Sequence, residues 1–316
     1  MENKNQNENR PIKCPGCDNE IIVDYLMAPD RFHGKTIPFR LVCCQTCSLV
    51  WLVNPPKSEE MAMHYSKEYD RSIAAAGDSS PSRGRDRKQT LTQYKQSGAI
   101  LDLGCSAGSF LKTMGSKEWE LYGIDMSSES ARRAQAESGA KVFVGDILDA
   151  PFHDSTFDAI TCFHVFEHLY KPREVLSRVS DWLKPDGIFY MLVPNIDSAG
   201  AHIFGSYWYA LELPRHVFHY SPKSLIAMAQ SVGLEVLSVT THREIFIEQS
   251  TRYIIDDMLR GLGTQRVPLA NAQQPGIIFR LVRKAFRLTM LPFLTGLASF
   301  GGDGESIHAV FQKRSN

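Results

Sequence analysis

The chain is 316 residues long, and its 35 lysines and arginines are balanced by 35 aspartates and glutamates, so it carries no formal net charge. That balance lacks the cationic excess that phosphate-backbone binding uses, and no nucleic-acid partner is expected. The length allows one full domain and a small one, the 43% hydrophobic content is that of a globular chain, and no uninterrupted apolar run is long enough to span a bilayer.

Residues 1–10 are polar, without an apolar leader run, and are expected to form a disordered tail of a cytoplasmic protein. Five of the seven cysteines lie before residue 50. In an intracellular chain such residues read as metal ligands or core groups rather than disulfides. Cys14-Pro-Gly-Cys17 and Cys44-Gln-Thr-Cys47 are two C-x-x-C knuckles with the ligand spacing of a zinc ribbon, and four thiolates suit a closed, structural Zn²⁺ site. The metal would supply folding energy that so small a segment cannot draw from its own core. Cys43 could replace Cys44 at a longer spacing, although the C-x-x-C knuckle favours Cys44. Residues 11–65 are thus read as the ribbon and a connecting helix. Residues 66–97, which include the polar, glycine-bearing run 77–85, are read as a linker, and 98–316 as the main domain.

That domain begins with an apolar strand pattern, Ile100-Leu-Asp-Leu, running into Gly104-Cys-Ser-Ala-Gly108 and an apolar helix start. Gly104 and Gly108 permit a tight turn and close approach of a ligand, and the helix start offers free N–H groups, which together suit a nucleotide-like cofactor. Further strand patterns follow at 121–125, 141–146, 157–164, 187–195 and 305–312. Between them lie helices such as 128–138, with Ser127 as N-cap, and one opened by Pro172. This alternation predicts an α/β architecture: a Rossmann-like, mostly parallel seven-stranded sheet with helices on both faces. A helical insert is expected at about 245–300. Within it, 277–291 places Arg280, Arg283, Lys284 and Arg287 on one stripe, which suits peripheral contact with an anionic membrane or a lipid-linked substrate.

The run Asp102-x-Gly104-x-Ser106-x-Gly108 resembles motif I of the class I S-adenosylmethionine (SAM)-dependent methyltransferases, an acid followed by G-x-G-x-G, with Ser106 at the middle glycine. With the cysteine knuckles and Asn54-Pro-Pro56 ahead of it, the chain resembles the zinc-ribbon methyltransferases of polysaccharide and natural-product pathways. The resemblance implies SAM as cofactor. It assigns the ribose hydroxyls to Asp125, the adenine edge to Asp146 and Ile147, its face to Met126, and the neighbourhood of the sulfonium to His164. The segment 163–169 is similar to the Glu-His-Leu segment of small-molecule methyltransferases, in which Glu167 or His168 would orient the acceptor or act as base. His216, held in a short segment between Pro214 and Pro222, is the first choice for general base by its side-chain type. The expected activity is methyl transfer to a small-molecule or glycan-intermediate acceptor. Two other readings remain open: an RNA base methyltransferase carrying a zinc ribbon, and a non-catalytic interaction module that kept the fold, as Ser106 hints.

Overall fold

A computed structural model describes residues 13–65, 81–244, 246–261, 289 and 304–314. The first segment holds β1 (Ile22–Pro29), β2 (Pro38–Cys44), β3 (Val50–Leu52), the short helix α1 (Ser58–Met61) and a 3-10 turn, Ala62–His64. Then come α2 (Pro81–Thr92), β4 (Gly98–Leu103), α3 (Ser109–Met114), β5 (Trp119–Asp125), α4 (Ser128–Ser138), β6 (Lys141–Val144) and β7 (Phe157–Phe163). The chain continues with α5 (Pro172–Trp182), β8 (Leu183–Pro194), α6 (Ala199–Phe204), β9 (Phe218–His219), α7 (Pro222–Gln230), β10 (Leu234–His242), α8 (Phe246–Gly261) and β11 (Ser306–Lys313).

Local chemistry sets several of these boundaries. The Ser127 hydroxyl accepts the Ser130 amide at 3.2 Å and opens α4, while Gly139 closes it in a left-handed turn. Pro172 stands at the start of α5, whose Val175, Leu176, Val179 and Trp182 are buried against the sheet.

Seven strands form one sheet in the order β10-β11-β8-β7-β4-β5-β6, parallel except for β11, which runs antiparallel to both neighbours. Apolar side chains cover both faces, with Leu101, Leu103, Ile160 and Met191 in one cluster and Ile100, Phe163, Tyr190 and Leu192 in another. The strand order reverses between β4 and β7, and at such a point open α/β sheets bind ligands in the crevice outside the carboxyl ends of the strands.

Residues 81–92, read as linker, form α2, which buries Arg87 and Leu91 and carries Lys88, whose ammonium donates to the carbonyls of Thr113 and Met114 at the end of α3. The small sheet, ordered β1-β2-β3-β9, takes its last strand from far along the chain: Val50 pairs with His219 and Trp51 with Phe218. Cys14, Leu49, Trp51 and Met61 belong to the same hydrophobic cluster as Leu101 and Phe218, so the cysteine-bearing segment is built into the larger body. The insert expected at 245–300 contributes α8, whereas the basic stripe at 277–291 lies outside the described residues except for Thr289. No helix among the described residues is long and apolar enough to cross a membrane.

Candidate active site

The turn after β4 is shaped by close packing. Gly104 has φ 68°, and a Cβ there would lie 2.4 Å from Val165 Cγ2. Gly108 has φ 76°, and its Cβ would lie 2.8 Å from the backbone Cα of Ala134, so α3 and α4 meet where only glycine fits. Ser106 also adopts a left-handed conformation, φ 48°, which explains why a glycine is the easier residue there. Its amide nonetheless donates to Asp125 Oδ2 at 2.8 Å, and the Ser127 amide donates to Oδ1 at 2.8 Å. These two bonds fix the Asp125 carboxylate at the end of β5 while leaving each oxygen a further lone pair.

The other residues expected around a cofactor gather on the same edge. Asp102 is buried and accepts the Thr161 hydroxyl at 2.7 Å. Met126 is 72% exposed beside Asp125, an open apolar surface at the mouth of the crevice. Asp146 caps the turn Ile147–Asp149 by accepting the Leu148 amide at 2.8 Å, and Ile147 is buried beneath it. His164 leaves β7 with φ 55°, and its amide donates to the Leu192 carbonyl at 3.0 Å.

Across the crevice lies a buried group of acids and histidines. His168 Nδ1 lies 3.1 Å from the Arg215 carbonyl oxygen and 3.2 Å from the Tyr65 hydroxyl. A carbonyl only accepts, so Nδ1 carries the proton and Nε2 is left as the ring's acceptor. Burial, reinforced by the neighbouring His216, lowers the His168 imidazole to about 4 and keeps it neutral near pH 7. Glu167 is 1% exposed, and among the described residues neither of its carboxylate oxygens has a hydrogen bond; His164 Nδ1 stands 3.5 Å away as an ion-pair partner. Burial alone would raise the Glu167 carboxyl, but the His164 contact and the neighbouring imidazoles outweigh it and hold the group below its ordinary range.

His216 is differently engaged. Its Nδ1 lies 2.8 Å from the Ala210 carbonyl and its Nε2 3.3 Å from Glu212 Oε2, so both ring nitrogens already face oxygens. Each nitrogen of His216 thus has an oxygen neighbour within the protein. Glu212 is buried, which opposes its charge, yet His216 and Arg215 bring its carboxyl down to about 2.

Cys14, Cys17, Cys44 and Cys47 bring their sulfurs within 4.8 Å of one another, with Cys14–Cys47 at 3.5 Å and Cys17–Cys44 at 3.6 Å. A tetrahedron of Zn–S bonds near 2.3 Å has sulfurs about 3.8 Å apart, so the four thiols fit such an ion with little adjustment. Cys43 points elsewhere, its thiol toward the Cys44 carbonyl at 3.6 Å. Two further groups, Asp30–His33–His64 and Glu167–His168–His216, also bring ligating atoms within 4.8 Å. In the first the Arg215 guanidinium stands 3.4 Å from His33 Nδ1, and in the second a metal would displace the Glu212 contact of His216.

Comparison with known proteins decides the family. The sequence profile of a family described as "Methyltransferase domain" matches residues 65–239, more than half of the chain. The chain belongs to this methyltransferase family. Among curated relatives it is similar to a ubiquinone biosynthesis O-methyltransferase of Idiomarina loihiensis, 27% identical over 154 residues, covering 44% of this chain and 63% of that one. It is also similar to the enzyme of that name in Thiobacillus denitrificans, 30% identical over 153 residues, covering 45% of this chain and 66% of that one. The match thus spans just under two thirds of these relatives. A methyltransferase-fold structure from Bacillus halodurans superposes with a TM-score of 0.51 at 15% identity, covering 73% of this chain and 98% of that one, which shows the shared fold. The chain therefore carries a class I, SAM-dependent methyltransferase domain.

In this methyltransferase several site residues escaped the sequence reading. Tyr65, Asp30, Glu212 and Arg215 carry no motif; Tyr65 reaches His168 and Asp30 reaches Arg215 from far along the chain, whereas Glu212 meets Arg215 and His216 locally. Arg87 arrives on α2 and lies over the Phe163 ring at 4.5 Å.

The buried histidines set an acid limit. His64, His168, His219 and His308 are all lowered, chiefly by burial, to about 4 for His168 and about 3 for His308. Between their ordinary value of 6.5 and these lowered values the unfolded chain binds protons that the folded one does not, so stability falls as pH falls. Glu305, raised to about 7 by burial, opposes this by favouring the protonated fold above its ordinary 4.5, but it is one group against four. Urea denaturation should therefore show a lower midpoint at pH 5 than at pH 7.

Proposed function

We propose that this chain transfers a methyl group from SAM to a hydroxyl oxygen of a small-molecule acceptor. The observation that carries the reading is His168, a neutral histidine with its Nδ1 proton anchored and Nε2 directed to accept, beside the buried Glu167 carboxylate. SAM, when bound, supplies an electrophilic methyl group on a good leaving group. The protein must align the acceptor and remove its proton. His168 takes the proton and Glu167 stabilises the charge this leaves on the imidazole, while His216 serves Glu212. The names of the curated relatives, ubiquinone biosynthesis O-methyltransferases, support oxygen as the acceptor atom and a small molecule as its bearer. A glycan intermediate offers the same hydroxyl chemistry.

The cofactor cradle is assigned to Asp102, Gly104, Ser106, Gly108, Asp125, Met126, Asp146, Ile147 and His164. Ser106 keeps both the turn and its bond to Asp125, which favours a binding site over a module that has lost one. The four clustered cysteines are assigned to a structural zinc, and seven cysteines without a disulfide suit a reducing, cytoplasmic setting.

Titration calorimetry with SAM tests the cradle. Asp125→Ala removes the acceptor for the ribose hydroxyls and frees the Ser106 and Ser127 amides. Each bond to a charged group is worth about 1.5–3 kcal/mol, so affinity should fall roughly a hundredfold or more. Transfer of radiolabelled methyl to a panel of phenolic and sugar hydroxyls then identifies the acceptor class. Absence of SAM binding to the folded, metal-loaded protein would sink the proposal.

A further inference from the structure

Asp30 is a fully buried carboxylate in the turn after β1, far in sequence from the methyltransferase motifs. Its Oδ2 accepts His33 Nδ1–H at 2.9 Å and His64 Nδ1–H at 3.1 Å, and its Oδ1 accepts the His33 amide at 3.1 Å. The Arg215 guanidinium lies 3.9 Å from Oδ1 and donates to the His64 carbonyl at 3.3 Å. Asp30, His33 and His64 could be taken for a metal site. A second cation would, however, be forced against the buried Arg215 charge in a medium that screens poorly. The carboxylate has another occupation.

His168 Nδ1 has two partners, the Arg215 carbonyl and the Tyr65 hydroxyl. Both hang on Asp30. Arg215 is tied to it through its side chain, and Tyr65 directly follows His64, whose ring Asp30 holds. The same arginine lies 3.9 Å from Glu212, which engages His216 at 3.3 Å, and the His168 and His216 rings meet edge to face with centroids 4.6 Å apart. One carboxylate of the cysteine-bearing segment is thus linked to both partners of the candidate base, through a 3.9 Å ion pair with Arg215 and through the His64 ring next to Tyr65. We propose that Asp30 is a positioning residue for methyl transfer, acting through His64–Tyr65 and Arg215 to hold His168 with its Nε2 toward the acceptor. This rests on His168 as the base. It also gives the cysteine-bearing segment a role in chemistry: it supplies the groups that complete the acceptor side.

The test uses the full, zinc-loaded chain and reads both the ring ¹H–¹⁵N signals of its histidines and turnover. In Asp30→Asn the signals of His168 should shift, as they should in Tyr65→Phe, while zinc content and SAM affinity stay at wild-type values. Turnover should drop roughly tenfold or more through kcat, the scale of losing a partner that orients a reacting group. The double variant should lose less than the product of the two single losses, because the two residues act on one ring. Unchanged His168 signals in an Asp30→Asn protein that keeps zinc and SAM would overturn the proposal. Should that variant fail to fold, His64→Gln and Tyr65→Phe take its place, and the proposal fails if His64→Gln leaves the His168 signals where they are. If the wild type methylates no acceptor, the ring signals still decide the positioning role, so failure of the functional reading is seen separately.

Discussion

On the proposed zinc assignment, Cys44→Ser will release the metal and unfold the segment around it, whereas Cys43→Ser will leave both in place. Cys44 is fully buried, with its sulfur 3.6 Å from that of Cys17, while the adjacent Cys43 thiol turns to a backbone carbonyl. Serine is a poor zinc ligand, and a structural zinc in small domains is worth about 10–16 kcal/mol of folding free energy at neutral pH. The three short strands of this segment cannot replace such a contribution from their own apolar contacts. Metal analysis and the fluorescence of Trp51, which is packed in the same core cluster as three of the cysteines, read the two events together. Because β3 pairs with β9, the damage should spread to the segment carrying His216 and His219 and abolish transfer. SAM binding at the far turn should survive. Retention of zinc by Cys44→Ser, or its loss from Cys43→Ser, would reassign the ligand.

The parts of this molecule that could be read in the sequence are those whose signal is local. Ile100 to Leu103 is an unbroken strand pattern because β4 is central and covered on both faces, and Ser127 is a visible cap because its hydroxyl bonds three residues on. Asp125 could be placed by its distance from Gly104, since a strand and a helix of ordinary length separate them. The glycine turn after β4 and the cysteine cluster were legible for the same reason. α2 was not, because only Gly84, Arg87 and Leu91 of its described residues are buried and the rest is as polar as a linker. Nor was β9, whose two residues carry no alternation and become a strand only because Val50 and Trp51 supply the partner. The acceptor side suffered most. His216 looks like a base by type and spacing, and only its fold contacts with Ala210 and Glu212 reveal that both nitrogens are engaged. Tyr65 reaches His168, and Asp30 reaches Arg215, across more than a hundred residues, a distance over which sequence pattern says nothing.

His168→Asn will slow methyl transfer by roughly 10²–10⁴, the usual span for a general base, with SAM affinity unchanged. Asparagine suits the test because its amide N–H can take over the Nδ1 donation to the Arg215 carbonyl at 3.1 Å, so the local backbone keeps its bond while Nε2 is lost. Glu167→Gln should cost less. It leaves the base in place and removes only the carboxylate that stabilises its protonated form, whose buried oxygens have no hydrogen bond among the described residues. The pH profile adds a sign. An ordinary histidine base would lose activity as pH drops through 6.5, but His168 is lowered to about 4 and stays neutral above that value. Wild-type kcat should therefore remain level from pH 8 down to about 5 at saturating substrate, and fall only as pH approaches the lowered value. A falling limb centred near 6.5 in the wild type, retained in His168→Asn, would place the proton on another group. Because His168 owes its low basicity to burial and to His216, His216→Gln should move the acid limb upward, toward the ordinary histidine value.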